Sequence, residues 1–203
     1  MLVANISCVT KPAPPAGRLE RTRSRISAAA LDLFERSGYD GTTVAEIAAA
    51  AGVTEMTFYR HFGSKAQVLI DDPYDPLIAE AIGRQPIGLP PLLRTVRGIR
   101  ETWRALPITE EAPIRQRIAL VAEAPSLYPA IRASTAATEI AIADRLTQDG
   151  ADPDEAAIAA ASTMAAMITA LTRWAQRTDG SALADAVHLA LNVLEAGHDS
   201  HGD

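Results

Sequence analysis

Thr43–Lys65 reads TVAEIAAAAGVTEMTFYRHFGSK, and the spacing of its residues decides the fold. Val44, Ile47, Ala48 and Ala51 fall at i, i+3, i+4 and i+7, one apolar face at helical period. Thr43 followed by Glu46 predicts a capping box: the hydroxyl takes an orphan amide of the first turn while the carboxylate reaches back. Gly52 ends that helix, because a residue without a side chain enters the left-handed conformation at little steric cost. Thr54 is placed to cap a second helix, in which Phe58 and Phe62 form a buried i, i+4 pair. Glu55, Met56, Thr57, Tyr59, Arg60 and His61 occupy the rest of that helix, a polar and aromatic set suited to a groove of duplex DNA. Ser64 with Gln67 predicts a further capping box and the start of another helix. The pattern is a helix-turn-helix.

Working outward toward the N-terminus, a first helix is expected from about Arg18 or Leu19 to Ser37, stopped by Gly38. Ile26, Leu33 and Phe34 would share one small core with Val44, Ile47, Phe58 and Phe62. Arg18, Arg21, Arg23 and Arg25 cluster in this helix with only Glu20 against them. That cluster matters because the chain carries a net charge of −6 and a pI near 5.2, which argues at first against nucleic acid. Phosphate contact needs only a local positive patch. The acidic excess lies elsewhere, in residues such as Asp71, Asp72, Asp149, Asp152, Asp154 and Glu155.

The 203 residues are 48% hydrophobic and only 4% aromatic, with alanine-rich runs and no alternating pattern, so an all-α protein is expected. Cys8 alone permits neither an intramolecular disulfide nor a thiolate zinc cluster, which fits a reducing cytoplasm. No apolar run is expected to span a membrane, and MLVANISCVTKPAPPAG lacks the basic start of a secretory signal. Residues 1–17 and 198–203 read as tails, 18–65 as the helix-turn-helix domain and 66–197 as a second helical domain. His198 and His201 lie in a polar tail without surrounding carboxylates, so no metal site and no cofactor are expected.

Beyond Lys65, the helix AQVLI is interrupted by DDPYDP, after which Asp75 and Pro76 open a new segment. LLRTVRGIRETWRAL carries Leu92, Val96, Ile99, Trp103 and Leu106 on one stripe. Thr109 is placed to cap a shorter helix, and Pro125 and Pro129 flank SLY before a long helix ending near Gln148. Asp152, Pro153 and Glu155 open the next helix, with a predicted apolar stripe of Ala157, Ala161, Met164, Ala165, Ile168, Leu171 and Ala175. The last helix, about Ser181–Ala196, turns Leu183, Val187, Ala190, Leu191 and Leu194 inward. Two consecutive antiparallel helices with such faces are either ordinary core or half of a four-helix dimer bundle.

The run Ile26–Lys65 resembles the N-terminal DNA-binding domain of TetR-family transcriptional regulators, through ALDLFERSGYDGTTV, IAAAAGV and TFYRHFGSK in the family's order and spacing. The resemblance implies an N-terminal helix-turn-helix domain and a C-terminal helical ligand-binding and dimerisation domain, with homodimers formed through the last two helices on a pseudo-palindromic operator. It implies DNA contacts from Thr43, Thr54, Glu55, Met56, Thr57, Tyr59, Arg60, His61 and Lys65, with Arg18, Arg21, Arg23 and Arg25 at the flanking groove or backbone. IDDPYDPLIAEAI, RIALVAEAPSLYPAIRAS and Arg173-Trp174 further resemble regulators of the mycofactocin type, described as binding acyl-CoA-like ligands. For such an effector the candidate lining is Ile99, Trp103, Leu120, Tyr128, Met164, Met167 and Ile168, with Arg100 among the candidate head-group partners. The expected function is a ligand-released repressor. Its alternatives are a constitutive DNA-binding regulator and, more remotely, a helical enzyme, for which no nucleophile–base pair or phosphate loop is visible.

Overall fold

The computed structural model describes residues 17–70, 75–106 and 111–199, and among these every regular element is helical. The helices are α1 (Arg18–Gly41), α2 (Val44–Ala50), α3 (Glu55–Phe62), α4 (Gln67–Ile70) and α5 (Asp75–Arg84). They continue as α6 (Pro91–Ala105), α7 (Ala112–Glu123), α8 (Tyr128–Gln148), α9 (Pro153–Ala175) and α10 (Leu183–Asp199). The tail residues 1–16 and 200–203, with Cys8 and His201, lie outside the described residues.

In α1 the sequence expectation holds with one refinement. Gly38 adopts φ 73° and ψ 162°, so regular helix stops there and Tyr39–Gly41 form a separate last turn. The buried Thr42 hydroxyl donates to the carbonyls of Gly38 (2.8 Å) and Leu33 (3.3 Å), capping orphan acceptors of that end. The capping box of Thr43 and Glu46 is formed in both directions, Gly52 takes φ 63°, and Thr54 accepts from the Thr57 amide. Ile26, Ala30, Phe34, Ile47, Phe58 and Phe62 close the small core of this domain.

The C-terminal helices pack chiefly as α8 and α10 on α9, and α6 on α5 and α9. A Cβ on Gly98 of α6 would lie 2.7 Å from the Ile82 nitrogen and 2.8 Å from its Cα, so glycine is what lets α6 approach α5 so closely. Arg94 of α6 is buried and donates to Asp149 at the end of α8 (2.5 Å), which Arg145 also engages (3.1 Å). Arg115 of α7 lies 4.0 Å over the Trp174 ring and donates to the carbonyls of Trp174, Arg177 and Ser181, fastening the α9–α10 turn.

Three expectations need correction. Helix α7 begins at Ala112 after an N-cap Glu111 that makes no side-chain cap, and Thr109 lies outside the described residues. The Glu111 carboxylate instead accepts from the Leu183 amide and caps α10 (3.0 Å). In α9 the buried face is Ala156, Ala159, Ala160, Thr163, Met164, Met167, Leu171 and Trp174, while Ala157, Ala161 and Ala165 are exposed. Alanine is apolar at every angle around this helix, so its period cannot choose the inward face; the bulky Met164, Met167, Leu171 and Trp174 choose it. Finally, α9 is by length and composition apolar enough to cross a membrane, contrary to the expectation that nothing in the chain is. Here that apolarity is spent on packing against α6, α7, α8 and α10.

Candidate nucleic-acid interface

Spacing along α1 sorts its arginines before any partner is considered. Arg18, Arg21 and Arg25 stand at i, i+3 and i+7 and share one helix face. Arg23 belongs to another face, in register with Ile26, Ala30 and Phe34, the buried side. The folded chain follows this division. Arg18, Arg21 and Arg25 are exposed and line a groove of about 670 Å³ with Thr22, Gly52, Val53, Thr54, Thr57, Arg60 and His61. Four guanidinium groups thus border one concavity beside the start of α3, with no carboxylate on its lining.

Helix α3 presents Glu55, Met56, Tyr59 and Arg60 to solvent, Met56 at 77% exposure, while Phe58 is fully buried beneath them. Thr57 is half-buried, and its hydroxyl pairs with that of Thr54 (3.0 Å). Burial, then Arg60 and Arg23, lower the His61 pKa below its ordinary value, which favours the neutral imidazole. Thr43 is exposed, but its amide and hydroxyl both already donate to Glu46 (2.8 Å each).

Two of the expected contacts are placed differently from the rest. Arg23 donates from Nη1 to the His61 carbonyl (2.6 Å) and stacks 4.2 Å from the Phe62 ring centre. Lys65 donates from Nζ to the carbonyls of Tyr39 and Thr42 (2.7 Å each) and sits 4.2 Å from the centre of the Tyr39 ring. The helical register of α1 is the signal that separates Arg23 from its neighbours. For Lys65 no signal is local, because its partners lie 23 and 26 positions away. The Ser126 hydroxyl, which the sequence reading passed over, donates to Asp40 (2.5 Å) and ties the segment before α8 to the turn that Lys65 grips.

The candidate effector residues differ in burial. Ile99, Met164 and Met167 are fully buried core and Trp103 nearly so, while Leu120 and Ile168 are half-buried and Tyr128 is 53% exposed. Arg100 is engaged with Asn192 and Glu195 of α10. Among the described residues no group of three or more His, Cys, Asp or Glu side chains is placed to hold a metal ion.

A three-helix head with a capped, glycine-turned helix pair and an exposed second helix defines a helix-turn-helix DNA-binding protein. Residues 26–71 match the family described as bacterial regulatory proteins, tetR family, and residues 90–199 match the MftR C-terminal domain. The chain belongs to the TetR family of transcriptional regulators, which are not enzymes. It is 40% identical over 77 residues to the HTH-type transcriptional regulator TcmR of Streptomyces glaucescens, covering 37% of this chain and 34% of that protein. It is 44% identical over 54 residues to SrpR of Pseudomonas putida, covering 27% of this chain and 25% of that one. The chain therefore spans between a quarter and about a third of the length of these curated relatives. The crystal structure of NalD from Pseudomonas aeruginosa, described as the secondary repressor of a multidrug efflux pump, shares the fold with a TM-score of 0.57. That alignment covers 88% of this chain and 95% of NalD at 21% identity.

Proposed function

We propose that the chain is a homodimeric repressor that binds a pseudo-palindromic operator and is released by a hydrophobic, acyl-CoA-like effector. The observation that carries the DNA-binding part is the exposed α3 face beside a groove bordered by Arg18, Arg21, Arg25 and Arg60. Glu55, Met56 and Thr57 read base edges, and Arg18, Arg21, Arg25, Tyr59, Arg60 and His61 hold the flanking phosphates. Arg60→Ala is expected to weaken binding and to flatten the dependence of log K on log salt by about one unit, the share of one phosphate contact. A salt titration in which Arg60→Ala keeps the wild-type slope would place Arg60 on bases or off the DNA altogether.

A second copy is the occupant proposed for the outer face of α9 and α10. Ala157, Ile158, Ala161 and Ala165 of α9 and Leu189 and Val193 of α10 are exposed, with Ile158 at 65% and Val193 at 61%. A hydrophobic stripe of this kind on two adjacent antiparallel helices is half of a four-helix bundle. A cytoplasmic location belongs to the same reading.

The effector part rests on the match of residues 90–199 to the MftR C-terminal domain and on the apolar interior between α6, α7 and α9. Since Ile99, Trp103, Met164 and Met167 are packed core, an acyl chain must part these helices to enter, and its binding energy is then available to move them. Ser126 and Asp40 join that part of the molecule to the head. Long-chain acyl-CoA is expected to raise Tm progressively with free ligand and to release a preformed DNA complex. A Tm unmoved across chain lengths would remove the effector and leave a constitutive regulator.

A further inference from the structure

We propose that Lys65 and Arg23 are positioning residues, which fix the recognition helix through backbone carbonyls rather than by meeting DNA phosphates. This rests on the reading of α3 as the recognition helix. A helix ends with four carbonyls lacking intrahelical partners, and those left unpaired where water is excluded are costly. At the end of α3, the Tyr59 carbonyl accepts from the Gly63 amide (2.8 Å) and the Phe62 carbonyl from the Ser64 amide (2.5 Å). The His61 carbonyl accepts from Arg23 across 38 positions of chain (2.6 Å), with the guanidinium carbon 4.2 Å from the centre of the Phe62 ring. Helix α1 thereby grips the far end of α3.

Lys65 follows α3 and performs the reciprocal task. Its ammonium lies in the turn between α1 and α2, where it caps the Tyr39 and Thr42 carbonyls and rests on the Tyr39 ring. Two of its three donors are thus spent, on charge-assisted bonds stronger than neutral ones. Burial lowers the Lys65 pKa, and the Asp40 carboxylate pulls against that shift. Lys65 and Arg23 together hold α1, the turn before α2, and α3 as one rigid piece. The angle at which Met56 and Arg60 stand to a groove then depends on two side chains that need not touch it.

The two roles separate by which DNA is affected. A positioning residue aims α3, so its loss lowers affinity for a specific sequence while leaving non-specific binding and the salt slope in place. A phosphate contact lowers both affinities together and reduces the slope by about one. The test uses the full-length protein, a duplex enriched by the wild type from a random-sequence library, and a scrambled duplex of equal length. Lys65→Met, which keeps the aliphatic stem, and Arg23→Met are each expected to lose at least about tenfold on the enriched duplex. On the scrambled duplex they should lose less than about threefold, with unchanged slope, and Lys65→Arg, which keeps donors, should restore discrimination. Melting curves show whether each variant is folded, and Arg23→Met carries the test alone if Lys65→Met is not. Equal losses on both duplexes with a slope reduced by about one would overturn the proposal in favour of phosphate contact. Wild-type affinity for both would overturn it in favour of packing alone. Failure of the wild type to enrich any duplex would instead remove the DNA-binding reading, and the inference with it.

Discussion

Phe58→Ala is expected to destabilise the folded chain by about 3–5 kcal/mol and to abolish specific DNA binding. Phe58 is fully buried, lies 5.8 Å from Phe62 between ring centres, and belongs to a core that otherwise holds Ile26, Ala30, Phe34 and Ile47. So small a core has few neighbours able to close over the void, which puts the loss in the range where transfer and cavity terms add. Native domains are stable by only about 5–15 kcal/mol, so a loss of this size removes most of what holds α3 in place. Urea denaturation and a duplex-binding assay check the result together. The outer face of α9 and α10 is untouched by the substitution, so the variant's elution volume should match that of the wild type. A Phe58→Ala protein with wild-type stability would mean that α3 is not seated as described.

Asp149→Ala is the second large effect, expected at about 3 kcal/mol. Arg94 is only 2% exposed, and Asp149 is the carboxylate that answers its charge. Removing that partner leaves a buried guanidinium beside Arg145 with like charge and nothing between them, the circumstance in which breaking an ion pair costs most. The partial exposure of Asp149, at 16%, places the estimate at the low end. The pH dependence has a definite sign. The Arg94 hydrogen bond, aided by Arg145 and opposed by burial, holds the Asp149 pKa below the usual carboxylate range. A group with a depressed folded pKa contributes its full stability above its ordinary value and loses it as pH falls through the folded one. Wild type and Asp149→Ala should therefore differ most at neutral pH and converge in acid, as measured by denaturation midpoints across pH. A difference that grew on acidification would contradict the assignment.

The head of the molecule was legible in the sequence because its signals are local. A hydroxyl three residues before a carboxylate, a glycine after an apolar run, and two phenylalanines one turn apart each act within a few positions. All three are formed as their spacing predicts. What was not legible is long-range or degenerate. Glu111 caps α10 from 72 positions away, and Lys65 finds the Tyr39 carbonyl 26 positions back, so neither role leaves a pattern in its own neighbourhood. The inward face of α9 is degenerate in sequence because alanine fills every angle of it, and only the bulky residues distinguish inside from outside. Arg23 is close in sequence to Arg18, Arg21 and Arg25, but its helical register sets it apart from them.

The proposed function requires two copies of α3 on one duplex. Hydroxyl-radical footprinting of the wild-type protein on its library-enriched duplex tests this most directly. Two half-sites related by a pseudo-dyad should be protected, with centres about 10 base pairs or a multiple of that apart, as two major-groove helices on one face of the duplex require. Protection of a single unrepeated site, or no enriched sequence at all, would contradict it.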